Sequence, residues 1–176
     1  MDTLETKRLI LRMPETNDLT KFHEYAIKPN VGPQAGWHPH QSIIETKIIL
    51  KSFINENETW AITVKPYNEI IGTIDLKVLD FFDALEGTYE IGYSLNDIYW
   101  NKGYMTEAIQ AVLEYAFAKM GATKVIASHA PFNEASKKVL LKNGFIFTHI
   151  EKTNKYLSFG INELYYYEIK NKRKNK

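Results

Sequence analysis

The chain has 176 residues, 22 Lys and Arg against 21 Asp and Glu, and no cysteine. This length suits one domain, and 44% hydrophobic with 24% charged residues excludes wholesale disorder. Without cysteine there is no disulfide framework, no thiolate metal site and no cysteine nucleophile. No run of about 18 apolar residues is present to span a membrane. The opening MDTLETKRLILR lacks the apolar core of a secretory signal, so a cytoplasmic protein is expected.

The net charge of +1 hides two unlike pieces. Five basic residues, Lys170, Lys172, Arg173, Lys174 and Lys176, crowd the last seven positions, leaving 17 basic against 21 acidic residues, or −4, in the rest. We therefore expect one domain over 1–169 and a disordered basic tail over 170–176. The acidic body argues against DNA and for a cationic partner. Contact of the tail with RNA or the ribosome is its other use.

In chain order, RLILR at 8–12 reads as a strand. Residues 16–28 open on a Thr-Asn-Asp cap cluster and repeat Leu19, Phe22, His23 and Ala26 at helical spacing. A Pro/Gly-rich loop holds Trp37, His38 and His40, and a second helix is predicted over 42–55. Strands at 59–65 and 70–79 flank Pro66-Tyr67-Asn68-Glu69, which is hairpin punctuation. A loop at 80–87 leads to a strand at 88–95. A long helix is predicted from Gly103 to Met120, with Met105, Ala108, Ile109, Val112, Tyr115 and Ala116 on one stripe. A strand at 124–129, a helix capped by Asn133 and ended by Asn143-Gly144, and strands at 145–150 and 164–169 complete the order. The fold class is α/β (α+β), a mixed sheet of about seven strands with about four helices.

The chemistry concentrates in YEIGYSLNDIYWNKGYMT, Tyr89 to Thr106. A strand runs through Asn101-Lys102-Gly103 into a helix, which presents unpaired N–H groups at a positive dipole end, a site suited to pyrophosphate. Lys102 adds a cation and Thr106 a hydroxyl. Any strand–glycine–helix junction looks similar, so a structural use stands beside this one. Neither Gly-x-x-x-x-Gly-Lys-Ser/Thr nor Gly-x-Gly-x-x-Gly is present, which removes support for nucleotide hydrolysis and dinucleotide redox chemistry.

ETKRLILR (5–12), IIGTIDL (70–76), YEIGYSL (89–95), YWNKGYMTEAI (99–109) and NEASKKVLLKNGF (133–145) together resemble, in order and spacing, the GNAT N-acetyltransferases. The closest branch is that of the RimJ/RimL-like ribosomal-protein N-terminal acetyltransferases. The resemblance implies a strongly twisted sheet in which two parallel strands, here 88–95 and 123–130, splay to admit acetyl-CoA. It implies cofactor contacts at Tyr93, Ser94 and Leu95, at Asn101, Lys102, Gly103, Tyr104, Met105 and Thr106, and at Asn133 and Ser136. Met105 departs from the small residue the family carries there. Some relatives place a carboxylate where Lys155 stands, a role that here is absent or moved to Glu151. Relatives often dimerise, so a homodimer is another expectation.

Direct acetyl transfer needs positioning, oxyanion donors and a neutral amine. A protein α-amine, pKa about 7.7–8.0, is roughly one sixth neutral at pH 7, and a lysine near 10.4 about once in 2,500 molecules, a gap of roughly 3.4 kcal/mol. Glu90 is the candidate base, its carboxyl raised by partial burial. A Glu that merely pairs with a neighbouring donor is the other reading. Ser136 is the candidate proton donor to the leaving thiolate; Asn133 reads equally well as a helix cap. The acceptor wall is expected from the loop at 32–40, the second helix and 80–87, with Trp37, His38, Phe82 and Glu90 as substrate residues, Phe81 beside them, and Asp83 and Glu86 favouring a cation. The His38-x-His40 pair lacks a carboxylate at ligand spacing, so no metal site is expected. Tyr165-Tyr166-Tyr167 reads as strand packing. The expected reaction is acetyl-CoA-dependent acetylation of a protein N-terminal amine. A small-amine acetyltransferase (polyamine, antibiotic or metabolite) and a non-catalytic CoA sensor are the alternatives.

Overall fold

Short runs of β-branched and aromatic residues, broken by Pro, Gly and Asn clusters, fold into eight strands among the described residues. The computed structural model describes residues 1–79 and 86–172. In order they form β1 (Leu4–Glu5), β2 (Leu9–Arg12), α1 (Leu19–Ala26), α2 (Ile43–Glu56), β3 (Thr59–Val64), β4 (Ile70–Val78), β5 (Thr88–Leu95), α3 (Tyr104–Ala118), β6 (Lys124–His129), α4 (Glu134–Lys142), β7 (Ile146–Lys152) and β8 (Glu163–Lys170). The strands lie in one mixed sheet in the order β1-β2-β3-β4-β5-β6-β8-β7. The predicted order holds, with β1 as the added strand. Two residues are too few to show a period, and only pairing with β2, Leu4 opposite Leu11, makes β1 visible. Packing divides the chain into two compact units, 1–75 with 92–111, and 76–91 with the chain from 112 on.

In the first unit β2, β3 and β4 run antiparallel, with Leu9 opposite Val64 and Trp60 opposite Ile74. The face toward α1 and α2 collects Phe22, Tyr25, Ala26, Val31, Leu50, Ala61 and Ile70. Each large apolar side chain buried there contributes about 1.5–3 kcal/mol. The predicted cap cluster is a 3-10 turn at Thr16–Asp18 that precedes α1. Asp18 caps locally by accepting from Glu15 N at 2.8 Å. It also accepts two bonds from the Arg12 guanidinium, at 2.8 and 2.7 Å, in a buried pair. Ser42 caps α2, accepting from Glu45 N, as Ser does at an N-cap because the first-turn donors are otherwise orphaned.

In the second unit β5 runs parallel to β6, pairing Thr88 with Lys124, Tyr89 with Val125 and Glu90 with Ile126. The ladder ends there, while β5 runs on to Leu95 and β6 to His129. β8 is antiparallel to both β6 and β7. Asn133 caps α4 as predicted, accepting from Ser136 N at 2.9 Å, and Phe145 packs back with its N–H bonded to Leu140 O. The ordered chain continues past the boundary expected at 169/170. β8 includes Lys170, and the buried Asn171 donates from its amide to Ala122 O at 3.1 Å and from its backbone to Thr123 O at 2.9 Å. The remaining tail residues, 173–176, lie outside the described residues.

Candidate active site

In the first unit α3 starts straight after Asn101-Lys102-Gly103. Asn101 has φ 59° and Gly103 φ 77°, the left-handed region that Asn and Gly enter at least cost. The turn therefore closes where the sequence allows it. Glu107 N bonds to Gly103 O at 3.1 Å, which leaves the N–H groups of Tyr104, Met105 and Thr106 without a helical acceptor. Those donors, the positive dipole end and the exposed Lys102 suit a phosphate. The Met105 side chain is buried, so its bulk goes into packing and the turn keeps its room.

A brace holds this turn. Arg8 donates from its backbone and its Nε to the Glu107 carboxylate at 2.8 and 2.6 Å, and Thr6 adds a third bond at 2.6 Å. Arg8 Nη1 donates to Lys102 O at 2.9 Å, and the guanidinium lies 4.6 Å over the Tyr104 ring. Burial opposes ionisation of Glu107, but the bonds from Thr6 and Arg8 outweigh it and hold the carboxyl below its ordinary range. The sequence carried the signal only as the ETKRLILR motif. Its role needs a partner about a hundred residues away. Lys28 ties the other end, donating to Asn96 Oδ1 at 2.8 Å and pairing with Asp97, which also accepts from Asn30.

Of the β5 residues in this unit, Ser94 shares a hydroxyl–hydroxyl bond with Thr73 at 3.1 Å. Leu95 is buried, and its carbonyl accepts from Trp100 Nε1 at 2.7 Å. Tyr93 is half-buried. Trp37 packs against the core beneath α1 and α2, its ring 5.2 Å from the buried His40. His38 is exposed. His40 bonds Thr46 at 2.9 Å, and burial lowers its pKa, so it is a loop histidine that is also buried. Phe82, with Phe81 and Asp83, lies outside the described residues.

In the second unit Glu90 is half-buried. Burial raises its carboxyl above the ordinary carboxylate value, and the charges of Lys155 and Lys77 pull it partly back. Leu79 N donates to Thr88 O; continued along the antiparallel pair, that register sets Lys77 across from Glu90. Lys155 lies near enough for its charge to favour the ionised Glu90. Glu151 is exposed, 3.9 Å from His149 Nε2. Ser136 is buried in the first turn of α4. Tyr167 is buried and stacked on His129 at 5.3 Å, Tyr165 lies 5.7 Å from the same ring, and Tyr166 stacks on His149 at 4.9 Å, so the three tyrosines pack as strand residues. Thus residues 93–95 and 101–106 fall in one unit, and Glu90, Asn133 and Ser136 in the other. Among the described residues no group of three His, Asp or Glu stands together as a metal site, and no helix is long and apolar enough to cross a membrane.

Residues 8–146 match the family described as acetyltransferase (GNAT) domain. The chain belongs to the GNAT acetyltransferase family. It is 34% identical over 176 residues to the uncharacterized N-acetyltransferase YnaD of Bacillus subtilis (strain 168), covering 94% of this chain and 95% of that one. A GNAT-family acetyltransferase from Bacillus anthracis superposes with a TM-score of 0.86 at 27% identity, covering 97% and 99% of the two chains. RimL, the ribosomal L7/L12 α-N-protein acetyltransferase in complex with coenzyme A, shares the fold with a TM-score of 0.80 at 18% identity, over 96% and 98%. The protein is thus an N-acetyltransferase of the GNAT family, an acyltransferase by reaction class. The family match spans Glu90, the Asn101–Thr106 turn, Asn133 and Ser136, and stops before Lys155 and β8.

Proposed function

We propose that this GNAT enzyme moves an acetyl group from acetyl-CoA directly to a primary amine, with a protein N-terminal α-amine as the first acceptor class. The observation that carries the reading is Glu90, a half-buried carboxylate whose proton affinity is raised by burial and moderated by Lys155 and Lys77. A base of that strength suits an amine already about one sixth neutral at pH 7. It suits a lysine much less, since a lysine needs roughly 3.4 kcal/mol more.

Acetyl-CoA brings the thioester-activated acetyl group. The N–H groups of Tyr104, Met105 and Thr106, with Lys102 and the open Asn101-Lys102-Gly103 turn, fit its phosphates. Tyr93, Ser94, Leu95, Asn133 and Ser136 are the residues assigned to its arm, with the Leu95 carbonyl already engaged by Trp100. Glu90 takes the ammonium proton, directly or through water. Ser136 returns a proton to the leaving thiolate. Trp37 and His38 belong to the acceptor side. With no cysteine in the chain, no acetyl-cysteine intermediate can form, which supports direct transfer.

The test is thermal stabilisation by acetyl-CoA followed by thiol release over a panel of α-amino peptides, lysine peptides, polyamines and aminoglycosides. α-Amino peptides should give the highest kcat/KM. Highest turnover on a polyamine or aminoglycoside would move the acceptor to small amines. CoA binding without turnover would make the protein a sensor, and no stabilisation at millimolar acetyl-CoA would overturn the reading altogether.

A further inference from the structure

The sheet of the second unit has one packed face and one open face. Along β6, Val125, Ala127 and His129 are buried, while Lys124, Ile126 and Ser128 between them are only partly so. Successive strand residues point to opposite faces, so the partly covered set marks the open face. The strand pairing extends that face sideways. Glu90, Ile126, Glu168 and Ile146 form one row across β5, β6, β8 and β7. Two residues along β6, Ser128, Tyr166 and His149 form the next row. All of these residues belong to the second unit.

The two carboxylates of the first row differ in setting. Glu168 is held by Lys124 at 3.4 Å and Lys170 at 3.1 Å. At Glu90 burial is the larger influence, and the charges of Lys155 and Lys77 offset only part of it. Lys155 itself rests on a different ring, its Nζ 5.0 Å over Tyr156. In the second row the His149 and Tyr166 rings are stacked 4.9 Å apart and 3° from parallel. That separation matches the spacing of neighbouring strands, about 4.7–4.9 Å, so the rings stand upright and their faces look across the sheet. One face of Tyr166 meets His149. The other looks over Ser128, a small side chain, toward β5. Burial raises the Tyr166 phenol above its ordinary value, the charges of Glu151 and Glu90 raise it further, and a bond with Ser128 offsets part of this. The ring is therefore neutral and lies in a negative field, a setting in which an aromatic face attracts a cation. Two strand spacings, about 10 Å, separate β5 from β8. A cation within about 6 Å of the ring centre and about 3 Å from the carboxylate fills that span.

We propose that Tyr166 is the platform for the acceptor's ammonium: its ring holds the cation over Ser128, with Glu90 on the far side as the group that then takes the proton. At pH 7 roughly five sixths of an α-amine is ammonium, so the ring binds the abundant form. Tyr166 is a binding residue and exchanges no proton in the reaction. The inference deepens the acetyltransferase reading above and rests on it for the role of Glu90.

The experiment compares alaninamide with isobutyramide, which puts a neutral methyl where alaninamide carries its ammonium. Both are titrated by calorimetry onto the full chain saturated with CoA, so that no turnover intervenes. Wild type should bind alaninamide at least tenfold more tightly than isobutyramide. Tyr166→Phe keeps the ring and should keep that preference. Tyr166→Leu removes the ring and should lose at least fivefold of the preference. With acetyl-CoA it should also raise the KM for alaninamide about fivefold, change kcat less than threefold, and leave the CoA Kd within twofold. Ser128→Leu covers the ring face and should cause the same loss; it decides the matter if Tyr166→Leu fails to fold. A preference within twofold of wild type in folded Tyr166→Leu overturns the platform. So does an equal loss in Tyr166→Phe, or a loss that falls on CoA affinity instead. A wild type that turns over no alaninamide overturns the acceptor reading, while the calorimetric preference, which needs no turnover, still judges the platform.

Discussion

Glu90 sits among groups that push its ionisation in opposite directions, and each is separable by substitution. Burial raises its carboxyl, and Lys155 and Lys77 lower it. In the proposed role Glu90 works ionised, so turnover should be lost as pH falls through a value above its ordinary one. Glu90→Gln should cut kcat/KM by about 10²–10⁴-fold and abolish that acid limb in a pH–rate profile. Lys155→Ala removes a stabilising cation, so the limb should move to higher pH with the plateau little changed; an unmoved limb would separate Lys155 from the site. The same raised carboxyl makes folding slightly less favourable as pH climbs from the ordinary carboxylate value through the raised one, because the folded state holds the proton longer. The position of Glu90 was legible from the strand and its motif. Its opposing cations were not, because Lys155 lies 65 positions away and only the fold makes it a neighbour.

The turn proposed for the phosphates is not shaped by its own residues alone. Asn101 and Gly103 supply the left-handed backbone, and both were legible as residue types. The Arg8–Glu107–Thr6 brace fixes where that backbone stands. Arg8→Ala should therefore raise the KM for acetyl-CoA severalfold while leaving the KM for acetyl-pantetheine, which lacks the nucleotide phosphates, nearly unchanged. Equal effects on the two would make the brace purely structural. A second element, the entry to α1, depends on the buried Arg12–Asp18 pair. Asp18→Ala strands the guanidinium and should cost about 3–5 kcal/mol in urea unfolding. The Thr-Asn-Asp cluster announced a helix start. It did not announce that Asp18 serves Arg12 as well, since local spacing carries no record of a strand six residues back folding over it.

At the scale of the whole molecule, β8 and the residues just after it carry contacts that charge alone does not suggest. Truncation after 169 deletes Asn171, its bonds to Ala122 O and Thr123 O, and the last residue of β8. That cut should cost about 1–3 kcal/mol by chemical denaturation. The amino-acid sequence by itself determined the order of strands and helices, the family and the turn at 101–103, because periodicity, turn residues and motif spacing are local properties written along the chain. Tertiary structure alone decided the two-residue β1, the burial of Met105 and His40, the packing of the partly buried Trp37, the brace on Glu107 and the cations beside Glu90. Each of those depends on which distant residues a sheet register or a helix packing sets side by side, and no local pattern encodes that pairing.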